Sequence, residues 1–272
     1  MGARIRAFDW SQTSLGPVES WPRSLKTCVQ IMLTSRQPIW IGWSKDLIKL
    51  YNDPYKTIVG GKHPWALGKP ASVVWNDIWK DIDPMLRQVM LENQGTYSEA
   101  QLLIMERNGY PEETYYTFSY TPIAGDDGAT EGMICANVDD TDRIISERQL
   151  KTLTQLGKSL TDPKTNEEVF QRTINTLAEN SFDFPFAHLY ELSGNSARLV
   201  NSTALGTTSS MIAKLIDLES EEGISMYCAQ AITQRKSVVV EGLENKIGAI
   251  AKGAWSIRTD KAIILPIAAW TT

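Results

Sequence analysis

Cysteine and histidine are scarce in this chain of 272 residues, and neither sign of charge predominates strongly. Its three cysteines, Cys28, Cys135 and Cys228, are odd in number and far apart, which argues against a disulfide framework and points to a cytoplasmic setting. Net charge is −5 and no basic run exceeds two residues, so the electrostatic footprint of a nucleic-acid binder is missing. No apolar run approaches the roughly 18–20 residues that span a bilayer. Residues 1–20 lack the uninterrupted apolar core of a signal peptide. Neither histidine, His63 in "KHPWA" nor His188 in "AHLYE", has the acidic follow-on of a phosphoacceptor. No glycine-rich nucleotide loop appears, so phosphotransfer is not expected within this stretch.

What is present reads as an ordinary globular chain, 42% hydrophobic and 22% charged, long enough for two domains. In "SWPRSLKTCVQIML" Ser20 can cap a helix and Pro22 suits its first turn, while Leu25, Cys28, Val29 and Met32 form one apolar stripe. "PIWIGW" (38–43) and "LIKLY" (47–51) are strand candidates around a polar turn. Asn52 or Asp53 then caps a short helix that begins at Pro54 and ends at Gly60-Gly61. The spacing predicts further helices over 71–79 and from Asp83-Pro84 onward, with Leu86, Val89 and Met90 on one face. "TYSEAQLLIMER" and "EETYYTFSYTPI" flank the turn signal Asn108-Gly109, and "AGDDGATEG" leads to a strand at Met133–Val138. This order predicts an α+β fold with one five-stranded antiparallel sheet and helices on one face.

From Arg143 a helical stretch runs through Leu160, with a loose apolar stripe at Leu150, Leu153, Leu156 and Leu160. Beyond Asp162-Pro163, Thr165 and Glu168 have capping-box spacing. "FAHLYEL" and "ARLVNS" read as a hairpin around "SGNS", "SSMIAKLIDL" and "ISMYCAQAITQR" as helices, and "KSVVVEG" and "KAIILPIAA" as strands. The stop at Thr272, just after an apolar strand, reads as a fragment of a longer protein.

"WSQTSLGPVESWPRSL" (10–25), "LIKLYNDPY" (47–55), "GGKHPWALGKPASVVW" (60–75) and "LIMERNGYPEETYYTFSYTPI" (103–123) resemble the N-terminal sensory region of bacterial multidomain sensor histidine kinases. In that family a PAS domain hands over to a GAF domain and then to kinase domains. "GISMYCAQAITQRKSVVVEG" and "KAIILPIAA" resemble segments of a GAF fold. The resemblance implies an N-terminal helical extension (1–36), a PAS domain (37–142), a connecting signalling helix (143–160) and a C-terminally incomplete GAF domain (161–272). "DDT" at Asp139–Thr141 is similar to the Asp-x-Thr motif ending many PAS sheets, so Asp139 and Thr141 would anchor the helix to the sheet. The implied role is a non-catalytic input module of a two-component system. It would sense a small molecule or partner, as a homodimer with a kinase domain in the same chain, and relay the signal through Leu150 and Leu153 of the helix.

Trp40, Tyr51, Trp65, Trp75, Tyr116, Phe118 and Tyr120 fall in the first domain. Tyr116, Phe118 and Tyr120 alternate with Tyr115, Thr117 and Ser119, so they share one strand face. Two readings stand: packing between helices and sheet, or a small pocket in which Trp40, Tyr51, Trp75, Tyr116, Phe118 and Tyr120 meet a ligand. The cofactor is unassigned. The Asn-Cys motif of covalent flavin photosensors is missing, and Cys228 is followed by Ala229 rather than the His of a bilin attachment site. No metal site is expected, since His63 has no second ligand at metal spacing. A dimerising scaffold without ligand is the alternative, and a cysteine redox enzyme built on Cys228 a weaker one.

Overall fold

Residues 1–203, 213–243, 245, 254 and 259–267 are described by the computed structural model, in two units, Met1–Ile145 and Ser146–Thr272. The first unit runs through α1 (Gly2–Ala7) and α2 (Arg23–Thr34) into β1 (Ile39–Trp43) and β2 (Ile48–Tyr51). α3 (Lys56–Val59), α4 (His63–Ala66), α5 (Ala71–Val74) and α6 (Trp79–Glu92) follow, then β3 (Thr96–Met105), β4 (Glu112–Ala124) and β5 (Thr130–Asp139). All five strands pair antiparallel in the order β2-β1-β5-β4-β3. The last strand therefore lies at the centre, and the chain leaves the sheet from its middle. One residue later, α7 (Thr141–Ser159) begins.

Side-chain alternation explains the burial. Along β4, Thr114, Tyr116, Phe118 and Tyr120 are buried while Tyr115, Thr117 and Ser119 are only half-buried, and α6 packs against β3, β4 and β5. β1 and β2 are buried at every position, so at that end both faces are covered and helices do not lie on one face alone. The N-terminal segment belongs to the same core: Ile5, Trp10, Trp21, Leu25 and Met32 join the cluster that holds Trp40 and Leu50. Trp10 and Trp21 donate their indole N–H to the carbonyls of Ile5 (2.8 Å) and Gly16 (3.0 Å), satisfying the polar edge of each buried ring.

Four local expectations need revision. α2 starts at Arg23 with Pro22 as its cap, and the Ser20 hydroxyl instead bonds the Pro17 carbonyl. The stretch 71–79 is helical only as far as Val74. α6 starts at Trp79 and carries Pro84 inside it, because Ile82 belongs to the buried stripe with Leu86 and Val89 and draws in the preceding turn. α3 starts at Lys56 rather than Pro54, with Tyr55 as its cap and no side-chain bond there, so Asn52 does not cap it; Asn52 instead accepts from the Tyr55 amide at 3.2 Å. Its Oδ1 also accepts from the Ile39 amide (3.0 Å), and its Nδ2 donates to Met32 (3.0 Å) and Gln37 (2.7 Å) carbonyls.

In the second unit come α8 (Asn166–Ala178), β6 (His188–Ser193), β7 (Ser196–Ser202), β8 (Leu215–Asp217), α9 (Gly223–Gln234), β9 (Val238–Glu241) and β10 (Lys261–Ile264). β6-β7-β8 form one antiparallel sheet and β9-β10 a pair. Thr165 caps α8 from the Glu168 amide (3.2 Å), while the Glu168 carboxylate accepts from the Lys164 amide rather than that of Thr165. Where a helix was expected over 209–218, Leu215–Asp217 is a strand, with Ile216 buried between exposed neighbours in a period of two. Residues 209–212 of that expectation, and 268–269 of the strand expected at 261–269, lie outside the described residues. No described helix is long and apolar enough to cross a membrane.

Asn52 is 1% exposed and joins four backbone groups. Asn52→Ala leaves them unpaired and should lower unfolding free energy by about 2–4 kcal/mol in urea titrations; a loss under about 0.5 kcal/mol would show that these bonds are replaceable.

Candidate functional site

Cross-strand register assembles the site. Trp40 of β1 stands opposite Cys135 of β5, which stands opposite Tyr120 of β4, so three buried side chains form one row across the sheet. Phe118 lies opposite Asn137 one step along, and Tyr116 opposite Asp139 beyond it. The Trp40 and Tyr120 rings meet edge to face at 6.0 Å, and Phe118 packs on Tyr120 at 5.0 Å. With Tyr55, Ile58, Trp75, Ile78, Ile82, Leu103 and Met105 they line a cavity of about 20 Å³, room for about one water.

Five of the six candidate ligand residues, Trp40, Trp75, Tyr116, Phe118 and Tyr120, therefore meet at one cavity. Tyr51 is not among its lining residues. Its hydroxyl stands 2.9 Å from His63 Nδ1 and 3.2 Å from the His63 carbonyl, and Arg4 stands 3.3 Å from the other ring nitrogen. Burial, then the nearby Arg4 and Lys56 charges, push the His63 pKa down, so the ring is a neutral hydrogen-bonding group. It opens α4 instead of lying in a loop. Trp65 is 44% exposed and takes no part. Among the described residues no group of three or more His, Cys, Asp or Glu could hold a metal.

The central residue is one the sequence did not flag. Lys49 on β2 is 0% exposed, and its register partner Gly42 has no side chain. A Cβ at Gly42 would stand 3.0 Å from the Trp40 ring, so glycine there lets that ring lie under Lys49. Lys49 Nζ is 3.6 Å from the Trp40 ring centre, 4.8 Å from Tyr55 and 4.9 Å from Trp75. Its hydrogen bond goes to the Tyr55 hydroxyl at 3.3 Å, and no carboxylate among the described residues pairs with it. Ring faces return about 0.5–2 kcal/mol each to an ammonium, whereas burying the charge costs several. Burial dominates and pushes the Lys49 pKa well below 10.5, with the Lys62 charge lowering it further. Cys135 could oppose this only as a thiolate, but burial pushes that thiol up to about 12. Lys62 is the contrast: 4.8 Å from the same Trp75 ring, it is paired to Asp77 and to the Val74 carbonyl, both at 2.8 Å.

A second group lies at the exit of the sheet. Thr141 Oγ1 accepts from the Tyr115 amide (3.0 Å), and the Asp140 carboxylate accepts from the Thr117 hydroxyl (2.6 Å) and pairs with Arg143 (2.8 Å). The Thr117 bond, then Arg143, hold the Asp140 carboxyl below its usual range. Asp139 accepts locally, from the Thr141 amide at 3.1 Å. Thr141 and Asp140 thus both bond β4, and Asp139 faces Tyr116 of the same strand. Within the second unit Leu150 and Leu153 are 64% and 67% exposed; the α7 side chains engaged there include Arg148, paired to Asp183 at 2.6 Å, Thr152, bonded to Asn180, and Gln155, bonded to Glu179. His188 bonds Ser202, Tyr190 reaches the Ala213 carbonyl, and burial raises the Cys228 thiol, opposite to what a nucleophile needs.

No family model matches this chain, and no curated protein matches it. Among solved structures it is similar to an RNA-binding light-oxygen-voltage receptor (17% identity, 54% of this chain and 42% of that one, TM-score 0.36). It is also similar to the PAS domain of Bordetella pertussis BvgS (21% identity, 48% and 96%, 0.35) and to a sensory box sensor histidine kinase from Vibrio cholerae (15%, 42% and 87%, 0.29). The chain spans less than half of the first of these.

Lys49 supplies a pH signature. Between its lowered folded value and 10.5, the unfolded chain binds one more proton than the folded one, so stability rises with pH there and is lost as pH falls. Relative to Lys49→Met, the wild type should gain stability as pH rises toward 10.5, by up to about 1.4 kcal/mol per pH unit, in denaturant titrations. A flat difference would mean Lys49 keeps its proton when buried.

Proposed function

We propose that the chain is a PAS–GAF sensory input module, non-catalytic in itself, that reports a small ligand or partner to an output domain, in the implied setting a histidine kinase. The observation that carries this is the division of β4 between two tasks. Tyr116, Phe118 and Tyr120 line the cavity, while the alternating residues Tyr115 and Thr117 hold the first turn of α7. A ligand that displaces the cavity face of β4 moves the helix anchor in the same strand, which is the two-state element a sensor requires. The motif segments and the five-stranded antiparallel sheet support the PAS half. The order of helices and strands in the second unit agrees with a GAF reading.

The alternative, a dimerising scaffold without ligand, is favoured by the exposure of Leu150 and Leu153 on one helix. Native mass spectrometry of the purified chain separates the two. Extra mass lost on denaturation supports the sensor, and a bare dimer supports the scaffold.

The junction has its own test. Asp140→Ala removes the links to Thr117 and Arg143 and should raise amide exchange at Ile144 and its neighbours about tenfold, as loss of about 1–2 kcal/mol of hydrogen bonding requires. Asp139→Ala should act more weakly, and the β5 amides at Met133–Cys135 should stay protected in both. Equal effects of the two variants, or exchange spreading through β5, would remove Asp140 from the relay.

A further inference from the structure

A cavity with room for about one water takes up a ligand only when its wall opens. We infer that the turn between β3 and β4 (106–111) is the entry port of this cavity, latched onto α3 and the glycine pair behind it through Arg107 and Asn108. That role rests on the cavity being a ligand site, and it assigns the route of entry and the residues that regulate it.

The lining residues form two layers. Strands β1, β3, β4 and β5 supply the floor, and Tyr55, Ile58, Trp75, Ile78 and Ile82 supply the roof. Toward β2 the seam between the layers is closed from within by Asn52, which is 1% exposed and holds the Ile39 and Tyr55 amides. At β3, the free edge of the sheet, the turn spans the seam with hydrogen bonds near solvent. The Glu106 amide donates to Asp77 (2.6 Å), Arg107 Nη1 donates to the Thr57 carbonyl (3.4 Å), and Asn108 Oδ1 accepts from the Gly61 amide (3.1 Å). Glu106, Asn108, Gly109, Tyr110 and Pro111 are exposed, so water can replace these bonds and their net contribution is small. Parting them costs less than parting buried strands.

The latch adjoins the cavity wall directly. Glu106 follows the lining residue Met105, Thr57 precedes Ile58, and Asp77 precedes Ile78. Arg107 Nη1 also donates to the hydroxyl of Tyr116 (2.9 Å), another lining residue, while Glu112 accepts from both Arg107 (3.0 Å) and Asn108 Nδ2 (3.1 Å). Arg107, Asn108, Glu112 and Tyr116 all belong to the hairpin and move as one body. Lifting it parts Ile58 of the roof from Met105 and Tyr116 of the floor.

Gly60 and Gly61 let the turn approach. A Cβ at Gly61 would stand 2.9 Å from the Arg107 carbonyl, and one at Gly60 would stand 3.1 Å from Asn108 Oδ1. Gly60 has φ +56°, whereas Gly61 is outside the left-handed region. Alanine at position 61 therefore suits the backbone and is opposed by the turn alone.

The test compares the full chain with Gly61→Ala, a wedge under the turn, and Asn108→Ala, which removes its pin. Methyl methanethiosulfonate labels thiols and peptide mapping locates the label. Cys135 is 0% exposed and stands between Trp40 and Tyr120 in the row across the sheet, whereas Cys28 is half-buried on α2. Cys135 should be labelled about tenfold faster in both variants, with Cys28 changed by less than about twofold and β5 amides 133–135 as protected from exchange as in the wild type. In native mass spectrometry, mass that the wild type retains through buffer exchange should be lost from both variants. Unchanged labelling of Cys135, or faster labelling with lost β5 protection, overturns the port, and mass retained on the wild type then still supports the sensory site. Faster labelling with no mass on the wild type overturns the sensory reading and the port with it.

Discussion

Antiparallel register decides what faces the inside of the first unit. Once Trp40 pairs with Tyr51 on one side and Cys135 on the other, every second residue of β2, β1, β5 and β4 points to the same side. Lys49, two residues before Tyr51, is carried there with them. The rest of the site accommodates that amine. Gly42 opposite contributes no side chain, Trp40 lies across the freed space, and Tyr55 and Trp75 close around Nζ from the helical layer. A one-residue slip of β2 would turn Lys49 outward and drive Leu50 in. The tyrosine, tryptophan and asparagine contacts of the row specify against that slip.

The same period of two ties the cavity to the helix. Strand β4 cannot present Tyr116, Phe118 and Tyr120 inward without presenting Tyr115 and Thr117 outward, and those two positions hold Thr141 and Asp140. The central place of β5 sharpens the arrangement. Its end is flanked by β4 through the Tyr116–Asp139 pair, so the chain leaves a sheet interior rather than a fraying edge. Motion at the exit is therefore motion of paired strands, with little slack from end fraying.

Periodicity made the strands of the first unit readable, because aromatic and β-branched residues alternate along β4 and β5. It also placed Tyr116, Phe118 and Tyr120 at the cavity, since an inward stripe on a covered strand has nowhere else to go. Other features were hidden for definable reasons. Lys49 sits in a four-residue strand buried on both faces, so no alternation separates inside from outside and a lysine reads as solvent-facing. Tyr55 depends on the turn that Asn52 builds from α2, β1 and β2, a set of contacts far apart in sequence. Asn137 was detectable as a polar residue at an inward position after Met133 and Cys135. Asp140 was eclipsed because the Asp-x-Thr pattern names its neighbours, whereas the hydrogen bond to Thr117 is set by strand pairing. β8 was lost because Ile216 is flanked by too few residues for either period to show.

Lys49 and Lys62 share the neighbourhood of Trp75, and the difference between them locates function. Lys62 has a carboxylate and a carbonyl at 2.8 Å, which is how a buried ammonium is normally satisfied. Lys49 has aromatic faces and one 3.3 Å hydrogen bond. The fold thus had the means to pair a buried lysine a few ångströms away and left this one unpaired. A methionine would fill the same volume against the same rings without the desolvation cost, so packing and stability do not account for the amine. Local rules broken without a compensating partner mark sites where chemistry outweighs stability. The amine kept at that cost stands within 5 Å of three rings that line the cavity.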